Sequence, residues 1–246
     1  RSESAMSELA TERPVPPSLL SRVIGVITAP RATFEQIVAA PRVGGVLALV
    51  AVVGAVMVGG FLMTDVGQQA WIDQAVSGQE AWGVEVTDAA YANIQKMAPM
   101  APYLGGVPYL FMIPIGTAIT AGILYAIFNA LMGGTATFKQ VMAVAAHSQV
   151  IMGLALLVSM PINYMKGAMT GATSLSVLFP MLDESSFAAR LLGMIDLFIV
   201  WYVVVLSIGL AVLYRRKTKS VAMVLFGIYA VIAIGVALFQ SSRGGA

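Results

Sequence analysis

Few side chains in this sequence could do chemistry, and the most informative is its single histidine, His147. It stands early in the apolar run 141–160, where burial of a polar side chain is energetically costly and usually serves a structural or functional role. Asn129 lies near the end of the preceding apolar run, at a comparable depth, and Tyr125 stands one helical turn before it. We expect these three residues to form one intramembrane polar cluster.

Two roles are open for this cluster. A neutral histidine, hydrogen-bonded to Asn129 or to a backbone carbonyl, would join helices. A histidine that lines a water-filled path would instead serve transport. A dry bundle around His147 favours the first role, and a cavity that reaches His147 and Asn129 favours the second.

Catalytic and cofactor motifs are missing from the sequence. It has no P-loop, no GxSxG and no HExxH, and it contains no cysteine that could supply a thiolate. One histidine with carboxylates at other depths makes neither a metal site nor a proton-transfer pair. We therefore expect a non-enzymatic protein without a metal or a cofactor.

The composition of the chain is that of a membrane protein. Hydrophobic residues make up 59% and charged residues 11%, and the mean hydropathy is +0.86. A bilayer core needs about 20 apolar residues per helix. Five stretches qualify and predict an all-α polytopic membrane bundle with five transmembrane helices: 43–63, 107–132, 141–160, 197–214 and 221–239.

The basic residues predict the orientation, because lysine and arginine concentrate in cytoplasmic loops. Five spans place all the basic loop clusters on one side, so the N-terminus is expected in the cytoplasm and the C-terminus outside. Asp196 is then a candidate acid at the outer interface. The cytoplasmic cluster can serve as a topology signal alone or bind anionic lipid; its members are Arg215, Arg216, Lys217 and Lys219.

Outside the spans the chain divides into short segments. We expect a disordered tail over 1–17, cytoplasmic interfacial helices over 18–40 and an outer tail over 240–246. The break at Ala29–Pro30 predicts two short helices, of which the first is amphipathic and either lies in the membrane interface or packs under the bundle. Loop 64–106 is expected to be partly helical, with a helix that Thr87 caps.

One phrase occurs twice, as "ATFEQIVAA" at 32–40 and "ATFKQVMAV" at 136–144. Each pairs a threonine with a glutamine three residues on, which predicts a capping box at a helix start. Similar helix entries could have converged, or the two halves could derive from a duplication; convergence is favoured because the sequences that follow do not align.

Small residues at every fourth position of span two predict a packing seam or a dimer interface: Ala118, Gly122, Ala126 and Ala130.

Several of these motifs resemble the Ypt-interacting protein (Yip) family. They are "PRATF" with Pro30, the glycine–phenylalanine entry at Gly134 and Phe138, and Asp-x-Phe-x-x-Trp starting at Asp196. The resemblance implies five spans with a cytoplasmic N-terminus, and it assigns no catalytic residue to this chain. Eukaryotic members interact with Rab-type GTPases in vesicle traffic, whereas bacterial members have been suggested to act in transport.

The compact form of the chain resembles the bacterial type, so we expect it in a bacterial inner (plasma) membrane. The expected function is a scaffold that organises the membrane or binds a partner. The alternative is a small-solute or ion transporter or channel, or its accessory subunit. Expected partners are the lipid bilayer, anionic lipids and a membrane-protein partner or second copy; nucleic acid is not expected, because the basic residues form no extended stripe.

Overall fold

A computed structural model describes residues 17–182 and 186–243, so the predicted tail, apart from Pro17, lies outside the described residues. The described part is helical, with one isolated β-bridge between Ser174 and Asp196. Eleven α-helices follow in this order: α1 Leu19–Thr28, α2 Pro30–Ala39, α3 Gly44–Leu62, α4 Asp65–Ala81, α5 Asp88–Met97, α6 Ala101–Gly106, α7 Tyr109–Tyr125, α8 Phe138–Lys166, α9 Phe187–Met194, α10 Leu197–Leu213 and α11 Thr218–Arg243.

Within the described residues, four helices are long and apolar enough to cross a membrane: Gly44–Leu62, Tyr109–Leu131, Phe138–Lys166 and Thr218–Phe239. The second combines α7 with a π-helical segment, Ala126–Leu131. The predicted span 197–214 forms the shorter apolar helix α10. The all-α membrane architecture is therefore confirmed, while helix length supports four of the five predicted spans. Helix α11 also runs through the start of the predicted outer tail.

Helix α8 lies at the centre of the bundle and packs against α3, α7 and α10, while α11 packs on α10. Its start is fixed by the predicted capping box between Thr137 and Gln140, and its end by Gly167 in the left-handed conformation.

Helix α10 connects the two ends of this bundle. At its start, the Leu197 amide donates to the Thr173 carbonyl oxygen, 3.2 Å away, just beyond the end of α8. Beyond its end, Nη2 of Arg216 donates to the Met132 carbonyl oxygen at 2.9 Å, where α7 gives way to the turn into α8. We call the end that carries Arg216 the basic end and the other the opposite end.

The two copies of the repeated phrase play different structural roles. The predicted chain break at Ala29–Pro30 is confirmed, and Pro30 occupies the first turn of α2. Thr33 consequently lies inside α2, where its hydroxyl donates to the Ala29 carbonyl oxygen at 2.9 Å, so the first predicted capping box is wrong. Phe34 is buried against Gly209 of α10, whereas its counterpart Phe138 is exposed. These differences support convergence rather than duplication.

The long loop 64–106 is partly helical, as predicted. Helices α4, α5 and α6 occupy most of it. The Thr87 hydroxyl accepts from the Ala90 amide at 3.3 Å and caps α5. The Thr64 hydroxyl caps α4 in the same way, through the Gly67 amide.

Small residues allow close helix packing on α3 but not at the predicted positions on α7. A Cβ on Gly106 of α6 would lie 2.9 Å from Cα of Gly59 and 3.0 Å from the Ala55 carbonyl oxygen. Helix α7 instead buries Thr117, Ala121 and Leu124, and the π-helical segment after it buries Phe128 and leaves Ala126 and Ala130 exposed. The α7 stripe is therefore no internal seam, and its dimer interpretation stays a prediction.

We expect Gly106→Ala to lower the stability of the protein in detergent by about 1–3 kcal/mol, because the added methyl group meets backbone atoms that cannot move aside cheaply. Gly122→Ala is the matched control. Nothing lies within 4 Å of a Cβ at Gly122, and alanine is the better helix former. Thermal unfolding followed by circular dichroism measures both, and equal melting temperatures would contradict the close approach.

Candidate functional site

His147 is completely buried in α8, where its neighbour in space is an arginine. Its Nδ1 lies 2.8 Å from the Ala143 carbonyl oxygen. Its Nε2 lies 3.0 Å from Nη1 of Arg22 on α1. At 1.5 Å per residue, His147 stands about 14 Å along α8 from its first residue. A side chain from the short N-terminal helix therefore reaches the interior of the bundle.

The chemistry of the two partners determines which ring nitrogen carries the proton. A guanidinium group has only donors, so Nε2 must accept and is unprotonated. Nδ1 then carries the hydrogen, which it donates to the carbonyl of Ala143. In this arrangement the imidazole is neutral, with both nitrogens paired.

Arg22 is 8% exposed and ties three segments together. Besides His147, its Nη1 contacts the carbonyl oxygen of Arg42 at 3.4 Å, just before α3. Its Nε has no hydrogen-bond partner among the described residues. Burial, followed by the charge of Arg42, lowers the pKa of Arg22, but an arginine side chain stays protonated in proteins.

The orientation of α1 combines features of both predicted arrangements. Arg22 and Val26 face the bundle, while Leu20 and Ile24 are 67% and 51% exposed. This is the reverse of a helix on a water-soluble protein, and it suits a helix that packs on the bundle with an apolar face toward lipid. Arg22 and Val26 stand four positions apart, and this i, i+4 spacing places them on one face of α1.

Asn129 and Tyr125 do not join His147, so the predicted three-residue cluster is not formed among the described residues. The Asn129 amide nitrogen donates to the Ala136 carbonyl oxygen at 2.7 Å and holds the turn between α7 and α8. Tyr125 packs edge-on against Phe138, with ring centroids 6.1 Å apart. The π-helical segment that contains Asn129 changes the rotation of its residues relative to a regular α-helix, and no apolar pattern reveals this change.

Asp196 lies at the opposite end and caps α10. Its Oδ1 accepts from the amides of Phe198, at 2.8 Å, and Ile199, at 3.2 Å. Its Oδ2 accepts a hydrogen bond from the Thr173 hydroxyl. A carboxylate in this place also favours the positive end of the helix dipole.

The basic end contains an open cavity of about 510 Å³. Its charged lining comes from α2 and from the turn between α10 and α11: Arg31, Glu35, Arg215, Arg216 and Lys217. Three of the four predicted anionic-lipid residues thus meet here. Lys219, the fourth, is not among the residues that line this cavity. Arg31, which the prediction did not include, completes the charge cluster, and an adjoining cavity of about 730 Å³ extends it to the 133–136 turn.

Arg215 has an unusual backbone conformation, with φ at 51°. It is the residue that terminates α10, and the Arg216 amide donates back to the Ala211 carbonyl oxygen at 2.9 Å. Glycine normally occupies this left-handed position because it has no Cβ.

The described residues contain no group of three or more metal-ligating side chains.

Comparison with known proteins assigns this chain to a family. Residues 24–239 match the model of the Yip1 domain. The chain belongs to the Yip1 domain family. It is also similar to the membrane protein YknW of Bacillus subtilis, with 27% identity over 250 residues, which cover 97% of this chain and 96% of YknW. No solved structure matches. The family resemblance seen in the sequence is therefore confirmed, and the chain is an integral membrane protein.

We expect His147→Leu to lower stability by about 1–3 kcal/mol, because it removes an acceptor from a buried guanidinium. His147→Gln, which keeps a donor and an acceptor, should cost less. In a protein that already carries Arg22→Leu, His147→Leu should lower the stability by less than it does in the wild type. The guanidinium that would be left without an acceptor is then absent. Melting curves of the single and double variants in detergent measure this coupling, and strictly additive losses would contradict the contact.

Proposed function

We propose that this Yip1-domain protein is a non-enzymatic scaffold of the bacterial plasma membrane whose cytoplasmic end binds anionic lipid headgroups and, through them, organises the membrane around a protein partner. The observation that carries the proposal is the layer of packed apolar side chains in the centre of the bundle, between the cavities of its two ends.

The serine hydroxyls and the imidazole in this centre are already paired inside the chain, whereas Nε of Arg22 has no hydrogen-bond partner among the described residues. The Ser148 hydroxyl donates to the Val144 carbonyl oxygen at 2.9 Å, and the Ser207 hydroxyl to that of Val203 at 2.6 Å. With His147, both serines are completely buried. Large apolar side chains fill the same layer, among them Val205 and Leu210. Water in a continuous path would need polar groups left free to solvate it, so this layer supports a scaffold rather than a conduit.

The same proposal includes five spans. Helix α10 has 17 residues, about 26 Å at 1.5 Å per residue, and capping residues at both ends extend it. Its contacts reach from the residues beyond α8 at the opposite end to those beyond α7 at the basic end, so it matches the depth of longer helices. The placement of the basic residues then supports a cytoplasmic N-terminus and an outer C-terminus.

Single cysteines test this orientation, since the chain has no native cysteine. Ser77→Cys on α4 and Ser241→Cys near the C-terminus should react with an impermeant thiol reagent added to intact cells. Ser220→Cys, beside the basic turn, should react only after the membrane is permeabilised. Labelling of position 220 in intact cells would reverse the proposed orientation.

The charge pattern of the basic end supports anion binding. Arg31 and Glu35 approach to 3.7 Å, but their side chains are 68% and 61% exposed, so this pair neutralises little. Arg215 occupies a backbone conformation that costs a residue with a Cβ roughly 1–2 kcal/mol. Retaining a guanidinium where glycine fits better is consistent with a use for its charge.

Arg215→Gly separates backbone strain from charge. We expect the variant to be at least as stable as the wild type, because glycine adopts the left-handed conformation freely. Its affinity for phosphatidylglycerol should fall about fivefold, which corresponds to about 1 kcal/mol for one basic residue. Native mass spectrometry with phosphatidylglycerol and phosphatidylcholine measures this change. Lys219→Gln removes one charge outside the cavity and should have a smaller effect; equal losses would indicate a diffuse surface charge.

The alternative function is transport, and one observation favours it. A cavity of about 710 Å³ opens at the opposite end and is lined as far as Gln149 and Val50. Liposomes that contain the protein should nevertheless show no proton or cation flux above empty liposomes. Detectable flux that His147→Gln abolishes without changing the melting temperature would overturn the scaffold proposal.

A further inference from the structure

Two adjoining cavities lie at the opposite end of the bundle. The larger, about 710 Å³, is bounded by α3, α7, α8, α10 and the segment after α8. The smaller, about 550 Å³, lies between Lys166, α9 and the residues that precede it. Ser176 lines both. A single elongated ligand could therefore occupy the two cavities together.

The larger cavity has an acceptor without a partner. Asn163 lines it and is only 2% exposed. Its amide nitrogen donates to the Met169 carbonyl oxygen at 3.0 Å. Because a carbonyl can only accept, this bond fixes the orientation of the amide, and Oδ1 is left without a hydrogen-bond partner among the described residues. A buried acceptor of this kind is costly unless a donor reaches it.

Asp196 gives the same cavity its negative charge. It is the one ionisable carboxylate among the described residues that line it. A carboxylate has about four acceptor positions, and the hydrogen bonds described above occupy three of them. Asp196 can therefore cap α10 and still accept one more hydrogen bond. A cationic donor suits both Asp196 and Asn163.

The smaller cavity has the opposite chemistry. Its charged lining residues, within the described parts of the chain, are Lys166 and Arg190. Nη1 of Arg190 is buried and has no hydrogen-bond partner there. Guanidinium groups bind phosphates and carboxylates well, because their donors match the planar arrangement of oxygen atoms. This cavity suits an anionic acceptor.

We propose that the two cavities form one binding site for a zwitterion, with its ammonium group between Asp196 and Asn163 and its phosphate or carboxylate at Arg190 and Lys166. The site lies at the far end of the bundle from the basic cavity, so it goes beyond the proposed scaffold function. Apolar side chains also line the larger cavity, and they suit an apolar part of the ligand: Val50, Ile113, Leu156, Met160 and Ile199.

The ligand can be a lipid headgroup or a soluble zwitterion, and three probes distinguish these sources. They are dioctanoylphosphatidylethanolamine, dioctanoylphosphatidylglycerol, which has no ammonium group, and phosphoethanolamine, which has no tail. Each is titrated into the detergent-solubilised protein in the Arg215→Gly background, which weakens binding of anionic lipid at the basic end, and the dissociation constant is obtained from thermal stabilisation. We expect the ethanolamine lipid to bind at least about tenfold more tightly than the glycerol lipid. Equal binding of phosphoethanolamine would keep the site and assign it to a soluble zwitterion.

Two variants test the two halves of the site. Asp196→Asn removes the charge but keeps a good helix cap, and Arg190→Gln removes the guanidinium. Each should weaken binding of the ethanolamine lipid at least about tenfold. Asp88→Asn and Lys96→Gln, exposed residues outside the two cavities, are the matched controls and should bind as the Arg215→Gly protein does. Unchanged binding in either site variant, or equal affinity of the Arg215→Gly protein for the two lipids, would overturn the proposal.

Discussion

The buried guanidinium of Arg22 is the constraint on which the N-terminal half of the structure depends. Its charge cannot be removed, so the chain must supply acceptors away from water. His147 supplies one, and the carbonyl of Arg42 supplies a second at longer range. This requirement fixes α1 against the centre of α8 and draws the residues before α3 to the same point.

The rest of the bundle obeys the related rule that lipid offers no partner to a backbone amide or carbonyl. Helices α8 and α10 accordingly end on groups of the chain itself. Thr137 and Gln140 close the start of α8, and Gly167 closes its end. Asp196 closes the start of α10. At the other end of α10, Arg215 takes the conformation that glycine usually provides, and Arg216 additionally reaches the end of α7.

Sequence patterns predicted the features that arise from local chemistry. Apolar runs located the long helices, although α8 extends beyond the predicted run at both ends because polar and proline-containing turns continue it. Threonine and proline signals located the start of α8, the cap of α5 and the break before α2. The prediction failed at Thr33, because the same threonine-to-glutamine spacing has no capping role once Pro30 has already started the helix.

The candidate sites could be predicted only in part, since they depend on contacts between distant segments. His147 was recognisable as a buried polar residue, but its partner lies 125 positions away, on a helix whose arginine looked like an ordinary topology signal. The basic cavity was visible as a run of charges, whereas Arg31 joins it only through the packing of α2 near α10. The unpartnered oxygen of Asn163 has no sequence signature, because it results from the way that Met169 turns back over the end of α8.

The two ends of the molecule therefore differ in their chemistry, and packed apolar side chains fill the layer between them in the described part of the chain. Under the proposed function, communication between the two ends passes through the packed helices. Arg22 provides one connection of this kind, because it belongs to α1 and its side chain contacts His147 in the middle of α8. The far end of that same helix carries Asn163 and Lys166. A partner that displaced α1 would break the hydrogen bond between Arg22 and His147. Helix α8, which carries Asn163 and Lys166, would then have to adjust. Under the proposed scaffold function, the packed helices would couple the two ends of the molecule.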